Sequence, residues 1–178
     1  MGFDLYGVKP NGKVRQEISD CNHDKTKLDK YFKWQDETKG AYFRNNCWWW
    51  RPLWDYVCKV CLDIITEKEC NSGHYNDGCL ITADKSKKIS IRLTHLIRQG
   101  AVKKYEEEYM GRLNSLPLED CWLCNGTGKR TDIIVKNGCN CCHGTGKIKS
   151  KECDYPFSEE NVKSFAEFCE YSGGFEIN

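Results

Sequence analysis

The sequence predicts a mainly α fold of the α+β class, a compact helical core joined to a small cysteine-held β-hairpin lobe. Two observations predict it. Apolar residues recur at helical spacing in four segments between residues 52 and 172. Between the third and the fourth stand two copies of one short pattern, Cys121-Trp-Leu-Cys124-Asn-Gly126-Thr-Gly128 and Cys139-Asn-Cys-Cys142-His-Gly144-Thr-Gly146.

The elements follow in order. Residues 1–12 open on an apolar patch (Phe3, Leu5, Tyr6) and reach a turn signal, Lys9-Pro-Asn-Gly. Residues 13–40 are polar and weakly periodic, which reads as a solvated insert with a short helix near Leu28 to Trp34. Pro52 stands where a helix starts, and Leu53, Val57, Val60, Cys61, Ile64 and Ile65 recur behind it, which predicts a core helix over 52–67. Asp84 caps a second helix with the face Ile89, Leu93, Leu96 and Ile97, ending at Gly100. A third runs through Val102, Tyr105, Tyr109 and Leu113 to Pro117. Ser158 caps a last helix whose first turn carries Glu159 and Glu160, favourable at the positive end of the helix dipole, and whose face is Val162, Phe165, Phe168 and Cys169. The expected organisation is a helical core domain over 1–118, a ribbon over 119–151 and a C-terminal helix over 152–178 packing on the rest.

The paired cysteines state the chemistry. Each CxxC turns two thiolates toward one metal, and a tetrahedral structural site needs two such pairs and a loop long enough to join them. The glycines after each pair tolerate the positive φ that a chain needs when it bends around a metal. The reading is one structural Zn2+ held by Cys121, Cys124, Cys139 and Cys142, in a zinc ribbon with a strand near Thr131 to Val135 and a turn at Lys136-Asn-Gly. Cys141 leaves a shifted register open, while Cys139 keeps the pattern whole.

Residues 121–146 resemble the CxxCxGxG zinc-binding repeats of the DnaJ cochaperones, in which two repeats chelate one zinc, and the resemblance implies the same four ligands. The DnaJ proteins carry four repeats and a J domain with a His-Pro-Asp loop; this chain has two repeats and no His-Pro-Asp. What the resemblance implies is therefore a zinc module. The whole chain also resembles a group of small proteins of bacteriophages and their bacterial hosts that share its Tyr-Phe-Arg-Asn-Asn and Trp-Arg-Pro-Leu-Trp words and its Ser-Gly-Gly-Phe ending. That group brings no assigned activity, and implies a prokaryotic or phage-infected cytosol.

Composition narrows the classes. The formal charge of the 178 residues is +1, unevenly spread: residues 121–151 hold six Lys or Arg against Asp132, and residues 152–178 hold seven acids against Lys163. Four thiolates on one zinc carry −2, so the finger is about +3 with metal bound. Thirteen cysteines without a secretory signal at Met1 read as reduced thiols in a cytoplasmic compartment. No run approaches the ~20 apolar residues of a membrane span.

A second unusual segment, Tyr42 to Trp54, packs six aromatics and two arginines into thirteen residues. Trp48, Trp49 and Trp50 cannot all face one core, because on a helix they fan through about 200°. An exposed indole beside Arg44, Asn45, Asn46 and Arg51 is suited to stack a planar group and bond its edge. The loop from Asn71 to Gly78 adds His74, Asn76 and Asp77. His74 with Asp77 has the makings of a base and its orienting partner, but no nucleophile motif accompanies them. A second metal site from Cys58, Cys61, Cys70, His74 or Cys79 is outweighed by the reading of these thiols as small buried hydrophobes.

The expectation is a non-enzymatic zinc-containing binding protein whose partner is a host protein or a nucleotide-like small molecule, met by the aromatic and arginine surface. Three alternatives stand beside it. They are a nucleic-acid-binding zinc finger working through Lys129, Arg130, Lys136, Lys147, Lys149 and Lys151, an enzyme using His74 and Asp77 on a nucleotide, and a DnaJ-like thiol and zinc holdase.

Overall fold

Gly2 to Gly7 alternates small or apolar with polar side chains. In the computed structural model, which describes residues 2–21, 24–75, 78–130 and 138–178, that segment is a strand, β1 (Gly2–Gly7), with Phe3 and Leu5 buried. It is followed by α1 (Lys25–Glu37), β2 (Tyr42–Asn46), α2 (Cys47–Val60), α3 (Glu67–Ser72), β3 (Cys79–Ile81), α4 (Ala83–Arg98), α5 (Ala101–Ser115), β4 (Glu119–Asp120), β5 (Lys147–Ile148), α6 (Glu159–Tyr171) and β6 (Phe175–Ile177). The fold is α+β, about 53% helical. The described residues form two compact units, Met1–Glu106 with Phe157–Asn178, and Glu107–Pro156.

The first unit is built on a four-stranded antiparallel sheet in the order β2-β1-β6-β3. The sequence reading placed no strand outside the cysteine lobe, and this sheet is the main addition to it. Leu5 lies opposite both Phe43 and Ile177, so the first and last strands of the chain share the middle of the sheet. Helices α2 and α6 cover its Phe3–Leu5 face. Phe3 stacks on Trp50 with centroids 5.4 Å apart, Trp50 stacks on Trp54 at 5.2 Å, and Phe165 meets both indoles edge-on. Helix α4 packs on α6, where buried Ser86 donates its hydroxyl to the Cys169 carbonyl at 2.8 Å. On the opposite face Tyr42 donates its hydroxyl to Asp4, and Arg15 lies over the Tyr6 ring at 5.0 Å while bonding Glu176 at 3.0 Å.

Helix α2 begins five residues before Pro52 and ends at Val60, a correction to the helix expected over 52–67. Its start is set by Asn46, whose side chain accepts from the Trp48 and Trp49 amides and satisfies donors that a first turn leaves unpaired. Past Cys61 the chain turns and restarts at Thr66, where Thr66 and Glu69 form a reciprocal capping box for α3. The carbonyls at the end of α3 are taken by buried indoles: Trp50 Nε1 donates to Gly73 at 2.8 Å and Trp54 Nε1 to Cys70 at 2.9 Å. The polar insert carries α1, capped by Asp24 and longer than the Leu28–Trp34 segment expected. Helix α4 is entered from Thr82, with Asp84 inside its first turn rather than at the cap. Helix α6 begins behind Ser158 as expected, and Val162, Phe165, Phe168 and Cys169 are buried.

Candidate metal centre

In the second unit the two cysteine repeats fold alike. Asn125 and His143 adopt φ of 50° and 53°, and each is followed by glycines at positive φ. Thr127 donates to the Cys124 carbonyl at 2.7 Å, as Thr145 does to Cys142 at 2.7 Å. Gly128 N–H points at Cys124 Sγ and Gly146 N–H at Cys142 Sγ, both at 3.2 Å. The halves are also tied to each other, Cys121 N–H to the Gly146 carbonyl and Cys139 N–H to the Gly128 carbonyl, both at 2.8 Å. The repeats are thus related by a local pseudo-twofold. β4 and β5 pair beneath them, with Lys147 Nζ 2.7 Å from Asp120.

This arrangement brings Cys121, Cys124, Cys139 and Cys142 together, all buried, with their sulfurs within 4.8 Å of one another. Four thiols so placed offer one metal ion a complete set of ligands. Cys141 is only partly buried and packs against these four, and Cys139 rather than Cys141 is among the sulfurs that lie together. The strand expected at Thr131 to Val135 and the turn expected at Lys136-Asn137 lie outside the described residues.

The thiols are unequal without a metal. Burial pushes Cys121 up, and pushes Cys124 up to about 11. Burial also raises Cys142, but the Gly146 and Gly144 amides and the neighbouring Cys139 and Cys124 thiols outweigh it and hold Cys142 down at about 7. Amides aimed at sulfur favour the thiolate, the form that binds metal.

Among the described residues no second group of metal ligands forms from Cys58, Cys61, Cys70, His74 and Cys79. Cys61 is fully buried and is pushed by that burial to about 12, and burial likewise raises the partly buried Cys58, so both favour the neutral thiol.

The aromatic block divides. Trp50 is fully buried in the core of the first unit, which removes it from the expected recognition set. Trp48 and Trp49 remain 43% and 36% exposed. Arg44 is exposed on the edge strand β2 with its Nε 3.4 Å from Asp4, and Asn46 is committed to capping α2. Asn45 donates to Asn161, whose amide donates to the Trp49 carbonyl. Arg51 is exposed one turn beyond Trp48 on the outer face of α2. His74 reaches this face through Asp55, with Nε2 3.3 Å from Oδ1. Asn76 and Asp77 lie outside the described residues, so the expected His74–Asp77 pair does too.

Three residues that sequence reasoning passed over belong beside these. Asp55 follows Arg51 at i+4, Tyr75 is 66% exposed next to His74, and Trp122 is 64% exposed inside the first CxxC. The spacing of Asp55 and the placing of an indole between two of the paired cysteines were signals available in the sequence. No helix among the described residues is long and apolar enough to cross a membrane. No family model, curated protein or solved structure matches the chain.

Proposed function

We propose that this chain is a non-enzymatic zinc-containing binding protein. The observation that carries the reading is the geometry of the four thiols. A tetrahedron with ~2.3 Å metal–sulfur bonds has edges of about 3.8 Å. The Cys121–Cys139 and Cys124–Cys142 sulfur pairs are each 3.8 Å apart. An all-cysteine set leaves no open position for water or substrate, so the zinc in this reading is structural. The likeness to DnaJ-type repeats supports the same ligand set. Native mass spectrometry of the full chain tests it: one zinc per chain, lost in the Cys124→Ser variant and kept in Cys141→Ser, is the expected result. Iron, or no metal, in the purified wild type overturns it.

The recognition surface is the outer face of α2, where Trp48, Arg51 and Asp55 lie with His74 and Tyr75 beside them. Exposed Trp, Tyr and Arg on a rigid helix are the residue types that dominate protein interfaces, which favours a host protein as the partner in a prokaryotic or phage-infected cytosol. A Trp48→Ala/Arg51→Ala double variant stays folded, by circular dichroism and cooperative melting, and loses the protein that copurifies with the tagged wild-type chain. Equal recovery removes this face from the proposal.

A second reading rests on Trp122. It is exposed in the same unit as the exposed Lys129, Lys147, Lys149 and Lys151, the pairing of stacking ring and phosphate contacts that binds single-stranded nucleic acid. Its signature is binding to an oligonucleotide that weakens steeply with salt and is lost in Trp122→Ala; no binding at low salt excludes it.

A further inference from the structure

We propose that Cys58 of α2 and Cys70 of α3 form a reversible disulfide, a redox-sensitive bridge that fastens α3 to the aromatic core of the first unit. The two helices are already in contact there. Trp54 Nε1 donates to the Cys70 carbonyl at 2.9 Å, and Cys58 lies one turn beyond Trp54 on the same side of α2. The Cys58 thiol donates a hydrogen bond to the Cys70 sulfur, so the two sulfurs meet across the helix pair. Both residues are partly exposed, which gives a small oxidant access, whereas Cys61, the other thiol near Cys70, is fully buried.

The two thiols have different roles. Burial first, and the hydrogen bond to Cys70 second, hold Cys58 above the usual thiol range, so Cys58 keeps its proton and Cys70 is the sulfur that meets the oxidant. The oxidant is a peroxide, hydrogen peroxide being the simplest. The Cys70 thiolate attacks one peroxide oxygen, the O–O bond breaks, the departing hydroxide takes up a proton as water, and Cys70 becomes a sulfenic acid. The Cys58 sulfur then attacks the Cys70 sulfur. An S–S bond forms as the S–O bond breaks, and the Cys58 proton leaves with the hydroxyl as a second water. Two thiols have given up two electrons, and one peroxide has become two waters.

The bridge falls where such a tie changes most. Helix α3 is six residues long with no buried residue, and is held by the Thr66–Glu69 box, the Lys85–Glu69 ion pair and the two indole hydrogen bonds to the Cys70 and Gly73 carbonyls. An element with so little buried surface opens locally at low cost. Closing the loop from Cys58 to Cys70 removes much of that freedom, and restrains His74 and Tyr75, which follow α3 directly. The bridge does not depend on what binds the α2 face.

Peroxide titration of the full-length protein, read by intact mass and by peptide mapping after alkylation, tests it. The wild type is expected to lose two free thiols, to yield a cross-linked peptide joining Cys58 to Cys70, and to regain both thiols with dithiothreitol. Hydrogen exchange across α3 slows in the oxidised form. Cys58→Ser stops at a Cys70 sulfenic acid that dimedone traps, and Cys70→Ser leaves Cys58 a free thiol. The wild-type map decides the pairing whether or not either variant folds. Cys58 and Cys70 still free once other cysteines have bridged overturns the site, and a Cys58–Cys61 linkage overturns the pairing. Dimedone on Cys58 in the Cys70→Ser variant overturns the order of reaction, and α3 amides that exchange equally in both forms overturn the restraint.

Discussion

At the level of single residues, Gly128 and Gly146 decide whether the cysteines can meet. Gly146 has φ +76°, and a Cβ there would lie 2.1 Å from the Gly126 carbonyl oxygen; Gly128 has φ +71°, and its Cβ would lie 2.3 Å from that of Gly144. Both contacts are with backbone, so neither side can move aside without opening the site. Gly146→Ala is expected to lose metal on dialysis that the wild type survives, measured as zinc per chain. Proton release gives a second test. At pH 8 the metal-free Cys121 and Cys124 thiols, both raised by burial, are still protonated, so zinc uptake releases about two protons or more. Below the Cys142 value of about 7 that thiol is protonated as well. The apparent zinc affinity therefore falls as pH falls and falls more steeply below 7, a slope that competition with a chromogenic chelator reads directly.

At the level of elements, α2 shows how one run of sequence divides between core and surface. Trp48, Trp49 and Trp50 start the helix together, and only Trp50 is fully buried, stacked between Phe3 and Trp54. Trp50→Ala should cost about 3–5 kcal/mol in chemical denaturation, through the lost area, the cavity and the Gly73 carbonyl left without its donor. Trp48→Ala, at a position still 43% exposed, should cost clearly less than Trp50→Ala. Asn46→Ala should cost about 1 kcal/mol as a lost cap. The start at Cys47 was legible in hindsight, because Asn46 is a good cap and Pro52 only a convenient first residue. The box made by Thr66 and Glu69 was legible too, but the helix it opens is six residues long and carries no buried stripe, so periodicity was silent about it.

For the whole molecule, the two units have separate cores, one of stacked aromatics over a sheet and one of four thiols. If the four thiols hold zinc as proposed, removing it withdraws the folding free energy of the second core, ~10 kcal/mol or more in small zinc peptides. Chelation is thus expected to raise hydrogen exchange across Glu107–Pro156 while the amides of β1, β6 and α6 stay protected. Uniform protection after verified metal loss would mean that the thiols do not hold the second unit together.

The clustering of Cys121, Cys124, Cys139 and Cys142 and the helices at α4, α5 and α6 were legible in the sequence alone. Their chemistry is local: a CxxC and its glycines, a serine cap, a stripe at helical spacing all act within one or two turns of chain. The sheet was decided only by the tertiary structure. Phe3 and Leu5 alternate with polar neighbours, as do Phe175 and Ile177, but strands of three to six residues gain their stability from partners, and here the partners are the two ends of the chain. The same holds for Trp50 among its neighbours. Burial belongs to whatever distant segment packs above a residue, and no spacing along the chain records that.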